Sequence, residues 1–299
     1  MPLGDYSGSV MNAYFTAAVA GLTAGGAYAL LGVCAAFTYR LVAVINFVGA
    51  AIGAAGAFAF AILAEGGLPL WLSALAGVAL GAAVGAAVGA IMTQWFAESP
   101  ASTKAAVTVA LLVGLAAVGL RITGGQHPHD FPALIGGSAF RLAGVEVTKA
   151  SVATLTLALI FTLAGNLFLN RSHTGLQLRA LSERPVAAQL VGIPVHNLSL
   201  WVWGVGGAAT ALALIIIAPQ RAPNFLTLSL LVVPALAAAL IGFFRNFWAT
   251  LLGGVAIGVI EGLTSVIPGL GEYRTAVPFL VILAVLLWSQ RGARWDDAR

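Results

Sequence analysis

Apolar runs of roughly twenty residues recur from one end of this chain to the other, and this recurrence constrains the fold more than any single motif. A helix of that length spans the hydrocarbon core of a bilayer, whereas a transmembrane barrel shows strict alternation over segments of roughly 10 residues. The runs are continuous, so the expected fold is all-α: a polytopic integral membrane bundle of about 8 or 9 spans, forming one transmembrane domain over residues 1–299. Spans are placed at about 12–38, 42–63, 70–96, 101–121, 148–169, 198–219, 227–243, 246–266 and 276–289. Charge agrees: only 8% of residues are charged, against about a quarter in soluble domains. The net charge of +4 is scattered over short loops and forms no stripe, so a nucleic-acid partner is not expected and the lipid bilayer is. Met1 to Val10 carries Asp5 and no Lys or Arg, so the first run is expected to stay as a span and not be cleaved as a secretory signal. Cys34, the single cysteine, excludes an intramolecular disulfide and a cysteine-based zinc site.

The longest polar interruption of the second half is RSHTGLQLRALSERPVAAQLVGIPVHN, Arg171 to Asn197. Ser182 is a good N-cap, Pro185 suits a first turn, and Gly192 with Pro194 stops a helix, which places a short helix at about 183–192. At roughly 13 Å it is too short to cross a bilayer. Its small positions Ala187, Ala188 and Gly192 leave one side slim while Val186 and Leu190 bulk out another, so it is expected to seat against a partner. With this loop cytoplasmic, the inside receives Arg171, Arg179 and Arg184 together with Arg40, Lys104, Arg245, Arg291, Arg294 and Arg299, which is nine of the 14 basic residues. The N-terminus then lies outside and the C-terminus inside; about eight spans with an internal N-terminus is the alternative.

Trp71, Trp95, Trp201, Trp203, Trp248 and Trp288 fall near span ends, as interfacial anchors do. Gly77, Gly81, Gly85 and Gly89 recur every fourth residue in the third span, and Gly254, Gly258 and Gly262 repeat the device in the eighth. Such stripes let helix backbones approach where lipid supplies no hydrophobic drive, so they are expected to pack within the bundle. Pro234 and Pro278 imply kinked or broken helices.

Catalytic signatures are not found. Lys104 and Lys149 are each followed by Ala, so no P-loop is present; there is no Gly-x-Ser-x-Gly elbow and no intramembrane pair of acids, and an enzyme is not expected. His127, His129 and Asp130 lie in the 122–147 loop without the spacing of a helical metal site; a solvated loop over the bundle is expected there, and no metal. The spans hold the isolated polar groups Asn46, Gln94, Asn166 and Glu261. An acid at mid-bilayer costs about 2.5–3.5 kcal/mol on insertion scales. Glu261 therefore reads either as a structural acid near the outer end of its span or as a lining group of a polar path, and Asn46 divides in the same way between helix contact and path.

The run Gly21-Leu22-Thr23-Ala24-Gly25-Gly26-Ala27-Tyr28-Ala29-Leu30, then Tyr39-Arg40 and Val44-Ile45-Asn46-Phe47, resembles the opening of permease subunits of branched-chain amino-acid ABC importers, the LIV family. Arg179-Ala180-Leu181-Ser182-Glu183-Arg184-Pro185-Val186-Ala187-Ala188-Gln189-Leu190-Val191-Gly192 is similar to their ATPase-docking loop, and Gly253-Gly254 with Gly258 and Glu261 to a late span. Two departures stand out: Val186 replaces the acid of the loop signature, and Gly49-Ala50-Ala51 stands where such permeases carry His-Gly-Glu. The resemblance implies a permease of a bacterial plasma (inner) membrane with two cytoplasmic ATPases that bind the ATP, a second similar permease and an external solute-binding protein. On that resemblance no cofactor of its own is expected. On this reading Arg179, Ser182, Glu183, Pro185, Ala187, Ala188, Leu190 and Gly192 form the coupling helix, and Gly25, Tyr28, Asn46 and Glu261 line the path. The rival readings are a stand-alone ion-coupled carrier using Glu261 and a helical scaffold without a path. Single cysteines introduced at Ser182 and Ala298, in a Cys34→Ala background, are predicted to resist an impermeant thiol reagent in intact cells; labelling of both from outside would invert the topology.

Overall fold

The computed structural model describes residues 4–125, 129–142, 145–183, 188, 190, 194–220 and 224–290. Its first helix, α1 (Gly4–Val42), is the axis of the bundle, with 78% of its membrane window buried. Around it run α2 (Gly49–Glu65), α3 (Leu70–Trp95), α4 (Ala101–Ile122), α5 (Lys149–Arg171), the short α6 (His173–Glu183) and α7 (Val195–Ile217). Then come α8 (Phe225–Ser229), α9 (Val232–Ile241), α10 (Phe247–Thr264) and α11 (Val277–Gln290). Among the described residues, seven helices are long and apolar enough to cross a membrane, while Gly49–Glu65 and Phe225–Ile241 are shorter apolar passages. These correspond in order to the expected spans.

The principal seam joins α1 to α10, antiparallel. A Cβ on Gly258 would meet the backbone of Gly25, one on Gly254 the backbone of Ala29, and one on Gly262 the carbonyl of Ala17. Gly25 itself leaves only 2.9 Å between such a Cβ and Val255 Cα. The missing side chains let two backbones touch, which maximises dispersion contact in a medium where burial of apolar area brings little gain. A second seam runs along α3. Gly77 faces the Gly56 carbonyl on α2, Gly81 faces the Gly207 carbonyl on α7, and Gly85 and Gly89 form the groove that receives Trp203. Trp203 is only 1% exposed, so it is a core residue and not one of the interfacial anchors; Trp71, Trp95, Trp201, Trp248 and Trp288 are exposed as anchors are. On a third side, Thr23 of α1 hydrogen-bonds Ser151 of α5, and Gly26 lies against Thr154.

Three helix breaks differ from uninterrupted spans. The second span starts at Gly49, after a non-helical stretch from Ala43, whose φ of 53° ends α1 in the left-handed manner of a C-terminal cap. The expected seventh span is divided by a turn at Leu230 and Leu231, and Pro234 is the third residue of the new helix, where its missing N–H is harmless. Pro278 stands second in α11, after a 3-10 turn at Gly271–Ala276, and starts that helix without kinking it. Outside the bundle, the loop after α4 seats Phe131 against Phe58, with ring centroids 5.0 Å apart, and then forms an antiparallel hairpin. Its strands are β1 (Ser138–Leu142) and β2 (Val145–Thr148), with Arg141 Nη2 2.7 Å from Glu146 Oε1. The expected solvated loop is thus partly a small β-structure on an otherwise helical fold.

The α1–α10 seam makes Gly258→Leu a severe substitution: overpacking against backbone is expected to cost about 1–3 kcal/mol or more. Gly114, on the exposed side of α4, has nothing within 4 Å of its Cβ position, so Gly114→Leu should be silent. Thermal midpoints of the two detergent-solubilised variants, read by size-exclusion recovery after heating, check this; equal midpoints would refute the seam's importance.

Candidate functional site

At the end of the bundle away from Arg40, the break between α8 and α9 opens a cavity of about 810 Å³. Its geometry begins with a cap. The Asn224 side chain accepts from the Thr227 amide at 2.8 Å and Thr227 Oγ1 accepts from the Asn224 amide at 3.0 Å, so both ends of α8's first turn are satisfied. Phe225 anchors that turn against Phe58 and against Gly119 of α4. The polar part of the wall includes Tyr28, Gln220, Asn224, Thr227, Glu261 and Arg274.

Glu261 is half-buried on α10, and Tyr28 of α1 donates its hydroxyl to Glu261 Oε2 at 2.6 Å. The contact follows from the glycine seam: Gly25 lies one helical turn before Tyr28 and touches Val255, close enough to bring the phenol within reach of the carboxyl group. Tyr28 is 1% exposed, so only its hydroxyl edge meets the cavity. An acceptor at this depth is thereby held by a buried donor, a short hydrogen bond of the kind made to carboxylates.

The four residues expected along a path do not come together. Tyr28 and Glu261 share the cavity wall. Gly25 does not line it; the seam claims Gly25 for backbone contact with α10. Asn46 is not in a span but in the stretch between α1 and α2, 8% exposed, and among the described residues its Oδ1 has no hydrogen-bond partner. It borders a separate void of about 10 Å³, together with Cys34, Gly49, Ala50 and Thr210. The two spaces flank one turn: Leu231, Val233 and Pro234 line the larger, Val232 and Ala235 the smaller. Gly49, Ala50 and Ala51 are all buried, and Gly49 and Ala50 border the tighter of the two. Gln94 is exposed, and Asn166 accepts a local hydrogen bond from Asn170 at 3.0 Å.

The opposite end gathers positive charge. Arg40 donates to the Arg245 carbonyl at 3.1 Å, stacks over Phe247 at 5.4 Å, and lies within electrostatic reach of Arg179 and Arg245. Arg179 sits on α6, a helix that the sequence reading treated as loop. Its start was legible: the Ser172 hydroxyl accepts from the Gly175 amide at 2.8 Å as an N-cap, and Leu178, fully buried, fixes the helix to the core around Phe37 and Leu41. Ser182 is therefore not the cap of the next helix. It lies within α6, donating to the Arg179 carbonyl at 2.8 Å, and Glu183 closes α6.

Of the expected coupling helix, Ala188 and Leu190 are described and helical; Pro185, Ala187 and Gly192 lie outside the described residues. Ala188 is 3% exposed and belongs to the core that holds Phe37, Leu178 and Val195, so the slim side at this position faces its own bundle and not a partner. Leu190, 83% exposed, is the group presented outward. The reason is an apolar seat at the arginine end that the pattern of small residues did not reveal. Among the described residues no three His, Cys, Asp or Glu side chains converge as metal ligands. His129 packs edge-on to Phe58 at 5.4 Å, and His127 lies outside the described residues.

Sequence reading missed Arg274, Gln220 and Thr227 as cavity residues. Asn224-Phe-Leu-Thr227 does carry the cap signature, whereas nothing local distinguishes Arg274 from any other loop arginine. Collectively the wall offers a carboxylate, a guanidinium, amides and hydroxyls beside apolar surface, an assortment suited to holding a small polar molecule.

A many-pass helical bundle with a cavity of mixed polar and apolar lining at one end has the build of a membrane transport subunit. The chain belongs to the family described as branched-chain amino acid transport system / permease component, which it matches over residues 17–286. It is similar to the high-affinity branched-chain amino acid transport system permease protein BraD of Pseudomonas aeruginosa, at 23% identity over 93% of this chain and 95% of that protein. It is also similar to the corresponding LivH of Escherichia coli (strain K12), at 26% identity over 91% of this chain and 92% of that one. The probable permease LivH of Methanocaldococcus jannaschii is 27% identical over 54% of this chain and 51% of its own. A solved structure, PsaBC from Streptococcus pneumoniae in complex with Fab, aligns over 91% of this chain and 89% of that one at 17% identity with a TM-score of 0.47.

Removing the phenol hydroxyl tests the Tyr28–Glu261 contact. Tyr28→Phe keeps the buried ring and is expected to lower stability by about 1.5–3 kcal/mol, the range for a hydrogen bond to a charged group. A double-mutant cycle with Glu261→Leu, which removes the acceptor, read as thermal midpoints, should show the two changes to be non-additive; additive effects would mean that the contact contributes nothing.

Proposed function

We propose that this chain is the permease subunit of an ATP-driven importer for branched-chain or related amino acids in a bacterial plasma membrane. The family match over nearly the whole chain carries the reading. Two ATPases bind the nucleotide, a second similar permease completes the membrane part, and an external binding protein delivers the solute. The arginine end, with Arg40, Arg179 and Arg245, is cytoplasmic by the positive-inside rule, which puts the cavity on the outer side and the C-terminus inside. A stand-alone ion-coupled carrier is not favoured, since the relatives are named as permeases of transport systems.

The helix that contains Ala188 and Leu190 transmits ATPase motion to the bundle. Its Ala188 side is fixed to the core and its Leu190 side is free to enter a groove on the ATPase, where a few well-packed apolar groups dominate binding. Nucleotide-driven displacement of this helix then rocks the glycine-packed spans about α1 and closes the outer cavity.

The two faces give opposite expectations. Leu190→Arg should leave thermal stability unchanged and abolish both co-purification of a P-loop ATPase and leucine uptake at matched expression. Ala188→Arg should lower abundance, because it forces a charge into an apolar seat at a cost of several kcal/mol. Normal ATPase recovery and uptake in Leu190→Arg would exclude this helix as the coupling element.

A further inference from the structure

Three arginines meet at the end of the bundle away from the large cavity, and among the described residues no carboxylate pairs with any of them. Arg40, Arg179 and Arg245 are chain neighbours of Leu41, Leu178 and Phe244, which pack in one apolar cluster. That shared core gathers α1, α6 and the turn before α10. Arg40 is the middle of the three: it donates to the Arg245 carbonyl at 3.1 Å, lies over the Phe247 ring at 5.4 Å and feels the charges of both Arg179 and Arg245. Arg179 Nε is buried and, among the described residues, has no hydrogen-bond partner. Like charges gathered around an unsatisfied buried donor are costly unless an anion joins them.

The surroundings say which anion. The turn that carries Arg245 holds Phe243 and Phe244 at φ of 48° and 55°, a left-handed conformation that bulky residues rarely adopt. Packing keeps it so, with Phe244 5.1 Å from the Tyr39 ring and Phe243 6.2 Å from Trp288. The result is an apolar, outward-facing rim beside the arginines, because Phe243, Trp248 and Trp288 are all exposed. Exposed aromatic rings at span ends mark the headgroup level of a bilayer, where phosphates lie, and basic pockets between spans bind anionic headgroups there. We propose that this end of the bundle is a headgroup site for one anionic phospholipid, whose phosphate is met by Arg40, Arg179 and Arg245 while Phe243, Trp248 and Trp288 cover its glycerol and upper acyl chains. Planar guanidinium forks match phosphate oxygens in pairs. A choline headgroup brings its own cation against the cluster and is disfavoured for that reason. The site requires only that the bundle lies in a membrane and stands apart from the transport reading.

The test uses the full chain purified in non-ionic detergent, because a ligand that binds the folded form raises its thermal midpoint. Dioleoylphosphatidylglycerol should raise the midpoint saturably, with one molecule retained in native mass spectrometry. Dioleoylphosphatidylcholine, with the same chains, and inorganic phosphate, with the same oxyanion, should not. Arg40→Gln and Arg245→Gln should each raise the half-stabilising phosphatidylglycerol fraction about fivefold, as loss of one basic contact at an anionic surface does. Arg141→Gln, on the hairpin, should leave that fraction unchanged. Equal stabilisation by the two lipids, or none by phosphatidylglycerol, would overturn the site on the parent protein alone, whatever the variants' folding. Stabilisation by inorganic phosphate equal to that by phosphatidylglycerol would make this a free-oxyanion site and not a lipid site, and an equal effect of Arg141→Gln would reduce it to diffuse charge attraction. No phosphatidylglycerol effect together with lost ATPase co-purification in Arg40→Gln would assign the arginines to the ATPase instead.

Discussion

Backbone contact between α1 and α10 is the constraint on which the rest of this structure depends. In lipid, apolar side chains gain little by meeting one another, so helix association relies on close packing and on polar contacts across the seam. Gly21, Gly25 and Ala29 on one helix, opposed by Gly262, Gly258 and Gly254 on the other, bring the two chains together without intervening side chains. Everything that follows in space is set by this approach. Tyr28 reaches Glu261 because the two backbones already touch one turn away, and the cavity wall inherits the rigidity of that contact.

Where close packing fails, the failures are local and adjacent. The turn between α8 and α9 interrupts a passage that could have been one helix, and the stretch from Ala43 to Val48 interrupts another. Non-helical backbone at membrane depth is tolerated only where protein or a cavity covers it. One break here borders the large cavity and the other the small void at Asn46, and neighbouring residues of α9 line each of them. A short rearrangement of α9 is therefore the most economical way to connect the two spaces, consistent with broken helices bordering transport routes.

Much of this was legible in the sequence, because hydropathy and glycine spacing report on properties each helix carries alone. The order of the spans, the existence of a break in the passage that holds Pro234 and the stripes on α3 and α10 all belong to that class. Properties that depend on the neighbour were not legible. Trp201 and Trp203 are two residues apart and look alike in sequence, yet one is exposed and the other fills a groove made by Gly85 and Gly89 on another helix. Gly25 reads equally as a path residue or a seam residue until α10 is placed beside it. Ala188 was read as outward-facing because small residues suit a docking face, but an apolar seat formed by Phe37, Leu178 and Val195 takes it inward and leaves Leu190 exposed. Arg274 joins Glu261 only through the turn that precedes α11, which no local pattern encodes.

The energy source separates this protein from every carrier with a similar helical scaffold. Leucine uptake by cells that depend on this chain should fall in proportion to cytosolic ATP and should persist when a protonophore collapses the proton gradient with ATP held constant. Uptake that survives ATP depletion and follows the proton gradient would contradict an ATP-driven permease, and with it the coupling role assigned to the helix at Ala188 and Leu190.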